Sequence, residues 1–146
     1  MLNSNNKWMN LAILEAFRAK GASGKNPPVG CIIVKDNQII SRGRTSLSGR
    51  PHAEQNAINK IKDKKKLLNS FMFITLEPCA HKNISGISCA ELISKTGISK
   101  VFISCEDLDP RTSGKGITIL KNNNIEVFEN FMNLDSIFLY EGFFSK

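Results

Sequence analysis

No stretch of the chain stays apolar for the ~20 residues needed to cross a bilayer, so no membrane-spanning helix is expected. The first residues, Met1-Leu-Asn-Ser-Asn-Asn-Lys-Trp8, lack an apolar core behind their charge and do not resemble a secretory signal. The cytoplasm is the expected location. Repeats, linkers and low-complexity segments are missing too. A chain of 146 residues is long enough for one real core, and residues 1–146 read as a single domain. Cysteine is sparse: Cys31, Cys79, Cys89 and Cys105. Without an export signal, reduced thiols or metal ligands are expected before disulfides. Cys31 and Cys105 lie inside apolar runs and read as core packing.

Acidic residues are in the minority, 13 against 20 Lys and Arg, which gives a net charge of +7. Part of the excess sits in Lys60-Ile-Lys-Asp-Lys-Lys-Lys66. No aromatic residue interleaves with these lysines, so the run reads as a solvated helix end and loop. Nucleic acid is not expected as a partner, because charge alone gives only non-specific affinity. A basic protein equally suits a small phosphorylated substrate.

The remaining pattern alternates between helical and strand periods. Trp8 to Phe17 carries a wide apolar face and predicts a helix ending near Gly21. Val29–Val34 reads as a buried strand, Asp36-Asn37 as a turn, and Gln38–Ser41 as the returning strand. A helix from His52 to about Ile61 follows, with Pro51 as its starting residue. Ser70–Leu76 is the third strand, Cys89 to about Thr96 a helix, and Lys100–Ser104 the fourth strand. Gly116–Lys121 begins a helix, Glu126–Phe128 is the fifth strand, and Leu134–Phe144 reads as a short amphipathic helix. The sum is an α/β domain with three α/β/α layers around a mixed sheet of about five strands.

Two stretches concentrate the chemistry: Pro51-His52-Ala53-Glu54, and Pro78-Cys79 with Cys89 beyond it. One imidazole and two thiols are a ligand set for catalytic Zn2+, which keeps three protein ligands and an open fourth position. A purely structural zinc would want a fourth ligand, which His81 could supply, but it gains nothing from a nearby carboxylate. A Cys nucleophile with a His base needs no second Cys and leaves Glu54 idle. With zinc, Glu54 acquires a role as the carboxylate that moves protons while hydroxide attacks a ring carbon bearing an amine. H-x-E followed by Pro-Cys and a further Cys is a signature of zinc deaminases of nucleobases. Cys79 falls just past a strand's C-terminal end, where open α/β sheets place their sites.

The chain further resembles the deaminase domain of the bifunctional riboflavin-biosynthesis deaminase/reductase, of the cytidine-deaminase-like superfamily. The matching segments are Asn26-Pro27-Pro28-Val29-Gly30-Cys31, Gly49-Arg50-Pro51-His52-Ala53-Glu54, Thr75-Leu76-Glu77-Pro78-Cys79 with His81, and Asp107-Leu-Asp-Pro110 with Gly114-Lys-Gly116-Ile117. They keep the family's order across most of the chain. The long Cys79-to-Cys89 spacing separates this group from the short PCxxC of transfer-RNA adenosine and deoxycytidylate deaminases.

The resemblance implies zinc ligands at His52, Cys79 and Cys89, with Glu54 as proton shuttle and substrate contacts at Asn26 and His81. Thr45 stands where many members carry His, and Lys82 is placed to replace a loop cation. The loop Ala80–Ser88 lacks the family's prolines. The implied reaction is hydrolytic deamination of diaminohydroxyphosphoribosylaminopyrimidine. Implied partners are a second copy of the chain, with the aromatic tail Phe138, Tyr140, Phe143 and Phe144 buried either between subunits or on its own domain, and a separate reductase. Alternatives are a deaminase of another base or nucleotide, and an inactive zinc-stabilised RNA-binding module.

Overall fold

The computed structural model describes residues 4–81, 86–107 and 109–144, the side chains of Phe143 and Phe144 excepted. In chain order the elements are α1 (Ser4–Ala19), β1 (Gly30–Lys35), β2 (Gln38–Arg44), α2 (Ala53–Asn59), β3 (Phe71–Leu76), α3 (Cys89–Ser94), β4 (Lys100–Cys105), α4 (Lys115–Asn122), β5 (Glu126–Phe128), α5 (Asn133–Ser136) and α6 (Glu141–Phe144). The five strands form one sheet in the order β2-β1-β3-β4-β5. β1 runs antiparallel to both β2 and β3, while β3, β4 and β5 are parallel. The expected mixed five-stranded α/β/α architecture is what the chain adopts.

The period of two along the strands divides the core. Ile32, Phe73 and Phe102 face α1, meeting Trp8, Met9 and Ala12. Cys31, Ile33, Met72, Ile74, Val101 and Ile103 face the opposite layer, with Ala57, Ile93 and Leu120 from α2, α3 and α4. Two glycines allow the helices to lie close. A Cβ at Gly30 would stand 1.9 Å from the Ala12 carbonyl, and one at Gly43 2.3 Å from the Ala53 carbonyl. Short β5 gains support from a column of rings. Phe73 stacks on Phe102 at 4.5 Å and Phe102 on Phe128 at 4.4 Å, each pair adding about 0.5–1.5 kcal/mol beyond its burial.

The β1–β2 hairpin turns at Asp36 and Asn37, both with positive φ (52° and 62°), as the tight right-twisted turn requires. β2 runs three residues beyond the expected Ser41, because Arg42, Gly43 and Arg44 continue the ladder opposite Ile32, Cys31 and Gly30. Pro51 does not open α2: its peptide bond with Arg50 is cis, and His52, with extended backbone, is the N-cap residue. The tail is not one amphipathic helix. It breaks into α5, a 3-10 turn at Ile137–Leu139, and α6, with Tyr140 between the last two. Tyr140 is fully buried and its hydroxyl bonds that of Thr75 at 2.6 Å, while Thr75 also accepts from the Gly30 N–H at 3.1 Å. Those bonds fix the backbone at residue 140 and interrupt the helical repeat.

The basic run closes α2 and forms a 3-10 turn at Lys64–Leu67. Lys64 Nζ donates to the Ile58 and Ile61 carbonyls at 2.7 and 2.5 Å, satisfying the end of the helix. Cys31 and Cys105 are buried as expected, and none of the four cysteines is in a disulfide. No helix among the described residues is long and apolar enough to cross a membrane.

Candidate active site

Three elements bring the site together at one end of the sheet. His52 stands at the N-terminus of α2, which lies flat on β2 because Gly43 leaves room for it. Its backbone N–H donates to Gln55 Oε1 at 3.4 Å, which fixes the cap. Cys79 follows β3 after Glu77 and Pro78, and Cys89 opens α3. Ser88 caps α3, accepting from the Glu91 N–H at 3.1 Å. The Cys89 N–H points at Cys79 Sγ (3.4 Å) and the Ala90 N–H donates to the Cys79 carbonyl (3.1 Å). The first turn of α3 therefore grips Cys79 directly.

His52, Cys79 and Cys89 present their ligand atoms within 4.8 Å of one another. Zinc–sulfur and zinc–nitrogen bonds of about 2.3 and 2.0–2.1 Å at tetrahedral angles put S and N about 3.5 Å apart. His52 Nδ1 is 3.7 Å from Cys79 Sγ and 3.4 Å from Cys89 Sγ. The donor set and spacing fit a zinc ion with three protein ligands.

The electrostatics separate the groups. Hydrogen bonding from the Cys89 side chain, with help from His52 and the Cys89 N–H, holds the Cys79 thiol down at about 4. Its bond to Cys79 pushes His52 up. Burial lifts the Glu54 carboxyl to about 7, against the pull of His52. Glu54 is 3% exposed and stands two residues after His52, on the first turn of α2. Cys31, by contrast, is raised well above an ordinary thiol by burial, in keeping with a core role.

A cavity of ≈ 220 Å3 opens onto these groups, lined among others by Asn26, Thr45, His52, Glu54, Cys79, His81 and Asp107. Asn26 Nδ2 donates to the Gly49 carbonyl at 2.9 Å. Gly49 has φ +100°, and a Cβ there would stand 2.5 Å from Asn26 Nδ2. Thr45 lines the wall, but its hydroxyl is engaged within the protein: it accepts from the Val29 N–H at 2.9 Å and donates to the Pro27 carbonyl at 3.3 Å. It shapes the Asn26–Val29 segment. His81 is exposed at the mouth of the cavity. Lys82 lies outside the described residues.

Sequence reasoning gave no role to Glu77, which also lines the cavity and is 6% exposed. Its carboxylate accepts four backbone N–H bonds, from Asp107, Gly114, Gly116 and Ile117. The signal was its place in Thr75-Leu76-Glu77-Pro78-Cys79, a carboxylate just after β3 and directly before Pro78-Cys79.

Residues 2–105 match the family model of the cytidine and deoxycytidylate deaminase zinc-binding region. The chain belongs to this family. Its expected kinship with riboflavin-biosynthesis deaminases holds as well. The diaminohydroxyphosphoribosylamino-pyrimidine deaminase of Buchnera aphidicola from Schizaphis graminum is 36% identical over 95% of this chain and 92% of that protein. The RibD protein of Bacillus amyloliquefaciens is 44% identical over 82% of this chain. This member of the family spans roughly a third of the length of the RibD relatives it matches, 32% of the Bacillus protein. Among solved structures, Acinetobacter baumannii RibD superposes with a TM-score of 0.90 at 38% identity, covering 99% of this chain and 40% of that one. The cytidine-deaminase-like fold is thereby established.

Proposed function

We propose that this protein catalyses zinc-dependent hydrolytic deamination of diaminohydroxyphosphoribosylaminopyrimidine, releasing ammonia and the corresponding aminouracil ribosyl phosphate. The observation that carries this reading is Glu54, a carboxylate buried beside the His52, Cys79 and Cys89 donors and facing the same cavity. A structural metal site has no use for it. The names and coverage of the Buchnera and Bacillus relatives support the choice of substrate.

His52, Cys79 and Cys89 would hold the zinc ion, which would supply the Lewis acidity that activates water at neutral pH. Glu54 takes one proton from water and gives it to a ring nitrogen of the pyrimidine. It then takes the second from the hydroxyl on the attacked carbon and gives it to the amine, which leaves as ammonia as the carbonyl forms. One carboxylate thus serves as base and then as acid. Asn26 and His81 line the cavity as contacts for the pyrimidine and its substituents, and Lys82 is the candidate loop cation. In this reading the enzyme is a single deaminase domain that works in the cytoplasm as a homo-oligomer.

Replacing Glu54 by Gln keeps the size of the side chain and removes its ability to move a proton. E54Q should lose at least about 10³-fold in kcat, within the range of general acid–base contributions, with zinc content per chain unchanged by metal analysis. Loss of zinc, or turnover close to wild type, would exclude Glu54 as the proton carrier.

A further inference from the structure

On the deaminase reading, we propose that Glu77 is a positioning residue that sets the Asp107 wall of the substrate cavity, independently of the metal ligands. Each carboxylate oxygen serves two donors. Oε1 accepts from the Asp107 and Gly114 N–H groups, both at 3.1 Å, and so ties Asp107 to the N-cap of α4. Oε2 accepts from Gly116 and Ile117 at 3.0 and 3.2 Å, the second and third N–H groups of α4. The N-cap residue of α4 is Gly114, at φ +81°, which has no side chain to satisfy those donors. A carboxylate at the end of β3 does it instead, and its charge suits the positive end of a helix.

The loop so anchored presents Asp107 to the cavity. The Asp107 side chain is braced in turn, accepting from the Asp109 N–H at 3.0 Å and the Thr112 hydroxyl at 2.6 Å. Helix α4 is pressed against the same strand end, since a Cβ at Gly116 would stand 2.0 Å from the Pro78 carbonyl. All four donors to Glu77 lie on the 107–117 segment. Cys79 is held by other groups, the N–H donors of Cys89 and Ala90. Weakening Glu77 therefore releases the substrate wall and leaves the thiolates in place.

Glu77→Gln tests this, because one carboxamide end still accepts while the other turns N–H donors onto backbone N–H groups. Losing two charge-assisted bonds should raise KM for the diaminopyrimidine ribosyl phosphate at least about tenfold, with kcat within about threefold of wild type. Zinc content and the thiolate-to-metal absorption of the cobalt-substituted enzyme should not change. Amide hydrogen exchange should accelerate at Asp107, Gly114, Gly116 and Ile117 and stay unchanged at Cys89 and Ala90. Thr112→Val, which loosens Asp107 without touching α4, should raise KM in the same direction, and it carries the test if the Glu77 variant fails to fold. An unchanged KM with accelerated exchange, or a fall in kcat together with zinc, would overturn the proposal. Should the wild-type enzyme not act on this pyrimidine, the substrate reading falls alone. The exchange contrast then decides, and protection equal to wild type at all four amides would sink the role of Glu77.

Discussion

Glu54 and Glu77 are buried to nearly the same extent, 3% and 6% exposed, yet their carboxylates face different surroundings. Glu77 is met by four backbone N–H groups. Glu54 is dominated by loss of water, which lifts its carboxyl from 4.5 to about 7. A raised acid pKa in the folded state means that folding favours the protonated form. Stability from this group is complete below about 4.5 and is lost as pH rises through about 7. In zinc-depleted protein, the difference in melting temperature between E54Q and wild type should therefore widen in favour of E54Q from pH 5 to pH 8, as read by thermal unfolding. A difference that stays flat with pH would contradict the burial of an ionisable group there. At this scale the sequence was legible where residue types themselves carry chemistry, as in His52-Ala53-Glu54 and the two distant thiols. It gave no role to Glu77, whose partners are backbone amides 30 to 40 residues further on and have no side-chain signature. Thr45 illustrates the converse. The resemblance singles it out for standing where many family members carry His, and it does line the cavity, with its hydroxyl bonded to Val29 and Pro27.

At the scale of elements, the candidate metal ligand His52 depends on how closely α2 lies on β2. Gly43 leaves the space, with a would-be Cβ 2.3 Å from the Ala53 carbonyl and 2.6 Å from the Ala57 N. Gly43→Ala must push α2 outward and carry His52 and Glu54 with it. The variant should lose about 1–3 kcal/mol of stability, the cost of overpacking, and bind zinc more weakly in competition with a chelator. Unchanged affinity for zinc would mean that α2 can shift without moving His52. Strands and helices were readable because their apolar periods follow from one-sided or two-sided burial. Their ends were less so, since β2 continues through Arg42-Gly43-Arg44 by pairing with β1 and not by hydrophobic pattern. The tail misled for the same reason: its spacing looks helical, whereas the buried Tyr140–Thr75 bond imposes a break.

For the molecule as a whole, the layers place the three candidate zinc donors and the carboxylate proposed to move protons at the end of the sheet where β3 hands over to Glu77-Pro78-Cys79. The proposed homo-oligomer belongs to this scale. Phe138 is 40% exposed, 6.4 Å from Phe17, itself 56% exposed. If subunits pair through this patch, light scattering should give a mass of two or more chains, and Phe17→Glu should return it to one. A monomeric wild-type protein would rule out the homo-oligomer. Charge was informative only in a negative sense. The lysines of residues 60–66 end a helix and turn back to solvent, as their lack of aromatic neighbours suggested.

The most direct measurement is ammonia release by purified, zinc-replete protein, comparing the diaminopyrimidine ribosyl phosphate with cytidine, deoxycytidylate, adenosine and guanine. Selective turnover of the first is the expected result. Turnover of another base would keep the chemistry of Glu54 and replace the substrate, while silence on all of them with zinc bound would contradict the enzyme itself.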